Sequence, residues 1–221
     1  MNRSSMARKG SSSHAQTNSR GGQRGVLPVS SERGYGPDPL VEFVPGSSIL
    51  ALGDAMLELF RSGALAAATL TTGLMAGLYY AYACSVMLGL SRTDDRTFVS
   101  AMQQINVAII NPWFFVSFFG ALVFTALAGV LHLHGDCRTV LPWIAAALVL
   151  YVATLVITIG FNVPLNNELA AAGDPDRTAD LAAMRERFEA SWVRWNIARA
   201  VASTAAFGCL TWALVLHGRT L

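Results

Sequence analysis

Two groups of polar side chains interrupt long apolar runs, and both contain residue types that carry chemistry. The first holds Asn162, Asn166, Trp192, Trp195, Asn196 and Arg199. Asn162 and Asn166 are four apart, so both point one way if the helix continues through Pro164. Pro164 lacks an amide hydrogen and frees the carbonyl of Gly160, which demands polar partners close by. Trp192, Trp195, Asn196 and Arg199 fall at i, i+3, i+4 and i+7, a single helical stripe. Amide and guanidinium donors converging on one point can stabilise an oxygen that gains charge during a reaction. The tryptophan rings can stack on a flat ring system. Glu189 is the best-placed carboxylate to accept a proton, and Arg185, four residues before it, is a partner at the rim.

The second group is His132, His134, Asp136, Cys137 and His217. Histidines at i and i+2 point to different sides of a helix, unlike the i, i+4 pair of a zinc helix, so this group reads as a solvated turn rather than a metal site. Cys84, Cys137 and Cys209 have neither CxxC nor zinc spacing. No P-loop, GxGxxG or nucleophile elbow occurs, and no cofactor is expected. Net charge is +2 with no basic stripe interleaved with aromatics, which excludes a nucleic-acid partner.

The elements that must position these residues are membrane helices. Mean hydropathy is +0.43 although the first 62 residues are mostly polar, so the apolar content is concentrated downstream. Gly63 to Leu90 is uncharged for 28 residues, more than the ~20 needed to cross the hydrocarbon layer. It carries Gly73 and Gly77 in a GxxxG pattern suited to close helix packing. Ser91 to Ile110 reads as an amphipathic helix at the interface or against the bundle, with Phe98, Met102, Ile105 and Ile109 at helical spacing. Further spans follow at 112–134, at 139–165 and at 192–217. The expected fold is all-α, an integral membrane four-helix bundle running up-down-up-down, with both termini on one side of the bilayer. The expected location is the cell membrane. Arginines near the span ends place the N-terminus outside, whereas counting the tail arginines reverses that.

With alternating spans, Asn106, Asn111 and Trp113 share a membrane face with the first polar group. Tyr79, Tyr80 and Tyr82, near the middle of span one, can line the same pocket. The opposite face holds the histidine group. Residues 1–62 are expected to be a disordered tail. The opening stretch is basic and Ser-rich like a transit peptide, yet lacks an apolar helical pattern. An over-extended gene start, with Met56 as initiator, is the other reading.

Several segments together resemble one family: Thr72-Gly-Leu-Met-Ala-Gly-Leu-Tyr-Tyr-Ala, Asp95 to Asn106, Asn111-Pro-Trp-Phe, Phe161-Asn-Val-Pro-Leu-Asn-Asn167 and Phe188 to Asn196. They are similar to the anthrone oxygenase-like family of small four-helix membrane proteins, over about Ala64 to Leu216. The resemblance implies the four-helix fold. It also implies, for some members, insertion of oxygen into polyketide anthrones without a known cofactor, with the bilayer, a small apolar aromatic substrate and molecular oxygen as partners.

Two functional readings follow. In the first, Asn162, Asn166, Asn196, Arg199 and Glu189 perform the reaction, while Asn106, Asn111, Trp113, Tyr79, Trp192 and Trp195 hold a flat aromatic. In the second, the same stripe holds together a non-catalytic membrane protein that binds a lipid, a small apolar ligand or a partner subunit. A homo-oligomer is among the expected assemblies. Transport is a weaker third reading, since no acidic residue stands mid-membrane to couple protons.

Overall fold

Asparagine, aspartate and proline set where the helices begin. In the computed structural model, which describes residues 45–133, 139–178 and 180–219, Asn111 accepts from the backbone N–H of Phe114 at 3.1 Å, and Pro112 opens the helix behind it. Asp94 and Asp180 cap two other helices through Thr97 and Ala183, each at 3.0 Å. The element order is α1 (Pro45–Ala81), a π-helical turn (Tyr82–Val86), α2 (Met87–Leu90), α3 (Asp95–Ala108) and α4 (Pro112–Leu131). Then come α5 (Leu141–Ile157), a second π-helical turn (Thr158–Asn162), α6 (Val163–Ala171) and α7 (Leu181–Gly218). There is no strand among the described residues. Four helical stretches, Ser48–Leu90, Pro112–Leu131, Leu141–Ala171 and Leu181–Gly218, are long and apolar enough to cross a membrane, as a multi-pass membrane protein requires.

α1 packs on α4 and α7, and α5 closes the ring by packing on α7 and α4. The core mixes large side chains such as Leu65, Met75, Ile144, Tyr151 and Leu210 with many alanines: Ala68, Ala121, Ala147, Ala206 and Ala213 are all fully buried. Small residues let helix backbones approach in lipid, where hydrophobic burial gives no net drive. At Gly73, an added Cβ would sit 2.9 Å from the Phe207 ring, so this glycine lets that ring of α7 lie against α1, and a larger residue would make the ring shift. Gly77 meets nothing within 4 Å, so the GxxxG pattern supplies one packing glycine rather than two. The hydroxyl of Tyr151, buried mid-bundle, donates to the carbonyl of Phe118 at 2.8 Å.

Three boundaries differ from the sequence reading. Residues 45–62, assigned above to the tail, are helical. They carry three charges, of which Glu58 and Arg61 form an i, i+3 ion pair, and the helix opens at Pro45. The third span runs on through Pro164 to Ala171, because the π-turn before it widens the helix where the proline removes a donor. The fourth helix begins eleven residues before Trp192, at Leu181.

α3 lies against α6 and α7 rather than apart from the bundle. Its underside, Phe98, Val99 and Met102, is fully buried against Leu169, Phe188 and Trp192. Its end is tied down by Gln103, which donates to the carbonyls of Leu169 (2.8 Å) and Gly173 (3.0 Å). Arg185 secures the other end. It donates to Ser91 O (2.9 Å), Thr93 O (2.8 Å), Asp95 (3.0 Å) and Glu189 (2.7 Å), with its guanidinium 4.5 Å from the Phe98 ring centroid. An Arg185→Met variant is expected to lose about 3 kcal/mol of stability, because charged hydrogen bonds are broken at a largely buried site. The melting temperature in detergent should fall by several degrees, with faster amide exchange across α3. Exchange as slow as in the parent would mean that the apolar underside alone holds α3.

The cap of α3 also makes a pH prediction. The Thr97 hydroxyl and then the Thr97 N–H hold the Asp94 carboxyl below its usual range. A depressed carboxylate contributes stability in full above its unfolded value, near pH 4, and loses it as pH falls through the lowered folded value. Fraying of the first turn of α3 is therefore expected below about pH 4 and not above it. Chemical shifts of Thr97 and Phe98 would report it.

Candidate functional site

The π-turn at Thr158–Asn162 and the cap formed by α3 leave a cavity of about 390 Å³ at one end of the bundle. Its wall is mostly apolar, with Leu78, Ile105, Ile109, Phe114, Phe118 and Ile159 among its residues. Its polar groups are Tyr79, Tyr82, Gln103, Asn106, Thr158, Asn162, Asn166, Asn167 and Arg199, joined by the indole of Trp192. The size and the balance of apolar wall and few polar groups fit a small-molecule site.

Asn162 and Asn166 do share a face. Asn162 Nδ2 donates to the Trp192 carbonyl at 3.3 Å, and Asn166 Oδ1 accepts from the Trp192 indole N–H at 2.8 Å. Arg199 is 7% exposed, and its guanidinium lies 4.3 Å from the Tyr79 ring centroid and 5.2 Å from that of Trp192. Its Nε donates to Asn196 Oδ1 at 3.1 Å, and Asn196 Nδ2 donates to the Tyr79 carbonyl at 3.0 Å. No ion pair among the described residues includes Arg199. The cation is therefore held by two aromatic faces and one amide, with no neutralising carboxylate.

Three cavity-lining residues carry a buried polar atom with no hydrogen-bond partner: the Tyr79 hydroxyl, Asn106 Nδ2 and Asn162 Oδ1. Leaving a buried polar group unsatisfied costs about 1–3 kcal/mol. Three around one cavity leave two donors and one acceptor that water or a ligand can satisfy. Tyr79 and Asn106 offer hydrogens there, and Asn162 offers an acceptor.

Of the eleven residues expected from sequence, Asn162, Asn166, Arg199, Asn106, Tyr79 and Trp192 are brought together at the cavity. Asn196 lies behind Arg199, fully buried, and positions it. Glu189 is not part of the lining and is engaged by Arg185. Asn111 serves as the cap of α4. Trp113 is 84% exposed on the outside of the bundle, as a headgroup anchor would be. Trp195 stacks on Phe161, ring centroids 3.7 Å apart, away from the cavity. Tyr82 joins the lining, whereas Tyr80 is exposed. Thr158 and Gln103 were not anticipated as lining residues. Thr158 opens the π-turn, which only the proline six residues later signals in the sequence.

At the opposite end, His132 and His217 are buried rather than solvated. His132 Nε2 and His217 Nδ1 are 3.4 Å apart, His132 Nδ1 lies 2.7 Å from the Ala128 carbonyl, and Ser62 Oγ lies 2.9 Å from His217 Nε2. The solvated-turn reading of these two residues is thus corrected: the helix ends bring them inside. His134, Asp136 and Cys137 lie outside the described residues. Among the described residues no three His, Cys, Asp or Glu side chains converge as metal ligands.

The family model described as Anthrone oxygenase matches residues 113–209, from the start of α4 well into α7. The matched stretch contains Asn162, Asn166, Trp192, Asn196 and Arg199, whereas Tyr79 and Asn106 precede it. No curated protein and no solved structure matches the chain. The match over residues 113–209, beside four helices long and apolar enough to cross a membrane, supports an anthrone oxygenase-like family assignment.

Proposed function

We propose that the chain is an oxygenase that takes a flat, apolar, enolisable aromatic ketone of the anthrone type from the bilayer into the cavity beneath α3. The observation that carries this reading is the set of unpartnered polar atoms beside a buried guanidinium in an apolar chamber. A ketone oxygen would accept from Tyr79, Asn106 or Arg199, and a ring hydroxyl would donate to Asn162 Oδ1. Loss of a proton from the carbon across the ring from the ketone then places charge on the ketone oxygen, where Arg199 stabilises it. No carboxylate or histidine lines the cavity among the described residues, so water takes the proton and the cavity acts by making the substrate more acidic. The carbanion passes an electron to molecular oxygen, and the two radicals join in a C–O bond. The resulting hydroperoxide, after protonation, loses its remaining C–H proton and its terminal oxygen as water. The carbon becomes a second ketone: one substrate and one O2 give one quinone and one H2O.

The absence of a titratable base in the described lining also favours a second reading, in which the cavity holds a polar-edged apolar ligand without turning it over. Oxygen uptake by the purified, detergent-solubilised protein with an anthrone, against an enzyme-free control for autoxidation, separates the two. Uptake above control is expected, and Asn162→Ala should reduce it about tenfold or more with the melting temperature little changed. Saturable binding of the anthrone without uptake would establish the second reading instead.

A further inference from the structure

Arg199 brings a positive charge to the cavity wall that no described residue offsets. The side chain is buried, and the lining holds no aspartate, glutamate or histidine among the described residues. Its surroundings also leave one part of the cation open. The Tyr79 and Trp192 rings pack against it, with centroids 4.3 Å and 5.2 Å from the guanidinium carbon. Nε is taken by Asn196 Oδ1. Nη1 and Nη2 donate to nothing among the described residues. What remains of the cation for the chamber is therefore the end of the fork, the shape that receives two oxygens of one flat anion.

Water can complete the hydrogen bonds of such a fork, but it brings no charge. A cation buried without a counter-ion is costly, so the complement of this site is an anion. The other enclosed atoms agree in sign. The Tyr79 hydroxyl and Asn106 Nδ2 add two unbonded donors, against one unbonded acceptor, Asn162 Oδ1.

The rest of the wall fixes what the anion is attached to. Val107, Ile110 and Ile159 line the cavity and are also 71%, 67% and 62% exposed, so they form its mouth, between the end of α3 and the second π-turn. A ligand that crosses this mouth from the bilayer needs an apolar body behind its charged end. A phospholipid head would fit the fork but would set its glycerol ester oxygens against the apolar wall. A carboxylate on a hydrocarbon body has no such cost.

We infer that the cavity selects by charge and binds apolar carboxylic acids as their anions, with the two carboxylate oxygens on Nη1 and Nη2 of Arg199 and the hydrocarbon body toward the mouth. Fatty acids and aromatic acids share that chemistry. Such an acid occupies the same cavity as the ketone of the oxygenase reading and competes with it, but its binding requires no turnover.

The test compares anthracene-9-carboxylate with its neutral amide near pH 7, where the acid is ionised. Each is titrated into the purified full-length protein in an uncharged detergent, with probe fluorescence corrected for partition into empty micelles. The acid should bind about tenfold or more tighter than the amide, the size of a charged hydrogen-bonded contact. Arg199→Met should lose that preference and still bind the amide, which shows that the chamber persists. Arg199→Lys should keep only part of the preference, because an ammonium has no fork. Displacement of the bound probe by decanoate as well as by naphthoate would extend the site to fatty acids, and displacement by naphthoate alone would restrict it to aromatic acids. Equal affinity of the parent for acid and amide, or a preference that survives in Arg199→Met, would overturn the proposal. Acid binding by a protein that shows no oxygen uptake on an anthrone would leave the proposal standing and remove the oxygenase reading.

Discussion

Replacing Arg199 with methionine is expected to lower oxygen uptake on an anthrone by about 10²–10³-fold, the range seen when one preorganised oxyanion donor is removed. The stability of the protein should hold or rise. Arg199 is buried without an ion-pair partner among the described residues, so taking its charge away relieves desolvation rather than breaking a bridge. Methionine keeps most of the volume between the Tyr79 and Trp192 rings. That combination, activity gone and fold kept, separates a functional arginine from a structural one. If the cation existed to hold α7 against α1, Arg199→Met would melt earlier and turnover by the remaining folded protein would be normal. Arg199→Lys should recover only part of the activity. An ammonium preserves charge but cannot supply the fork whose Nε is set by Asn196 Oδ1. Asn196→Leu should resemble Arg199→Lys in activity and be less stable, since it also strips the Tyr79 carbonyl of a donor.

How much of this was legible in the sequence follows from what each signal depends on. Uncharged runs such as Gly63 to Leu90 reveal spans because lipid imposes a length and a polarity on any helix that crosses it. The i, i+3, i+4, i+7 spacing of Trp192, Trp195, Asn196 and Arg199 fixed a helical face, and Trp192 and Arg199 do reach the cavity. Trp195, on the same stripe, stacks on Phe161 because the second π-helical turn packs against α7 there, an approach invisible in sequence. Asn111 and Trp113 carry local signals, a cap before proline and a belt aromatic, and those local roles are the ones they hold. Glu189 and Arg185 were legible as a pair, but Arg185 also grips the loop before α3, a contact across 92 residues that no spacing announces. The start of α1 was missed as well. Residues 45–62 were read with the polar tail before them, whereas they form a helix that carries Asp54, Glu58 and Arg61 on one face.

Trp192 is the residue on which the cavity, the α3 cap and the arginine all converge, so its removal should have the largest structural effect. Its ring lies 5.6 Å from Tyr82 and 6.1 Å from Phe188, and Arg199 sits over it. Trp192→Ala is expected to cost about 3–5 kcal/mol, as other buried Trp-to-Ala changes do, and to leave uptake at the control level because the chamber loses a wall. A loss of that size cannot by itself tell wall from fold, so Trp192→Phe is the sharper experiment. Phenylalanine keeps one ring against Tyr82, Phe188 and Arg199 and removes the indole N–H that holds Asn166 Oδ1 at 2.8 Å, together with the second ring of the indole. The expected cost is about 1 kcal/mol for the lost hydrogen bond. The kinetic consequence is a split. If Asn166 is oriented by the indole and contributes to holding substrate, KM should rise about tenfold, the size of one polar contact, while kcat changes little, because Arg199 still faces the developing charge. A fall in kcat at constant KM would instead place Asn166 at the reacting oxygen, beside Tyr79, Asn106 and Arg199.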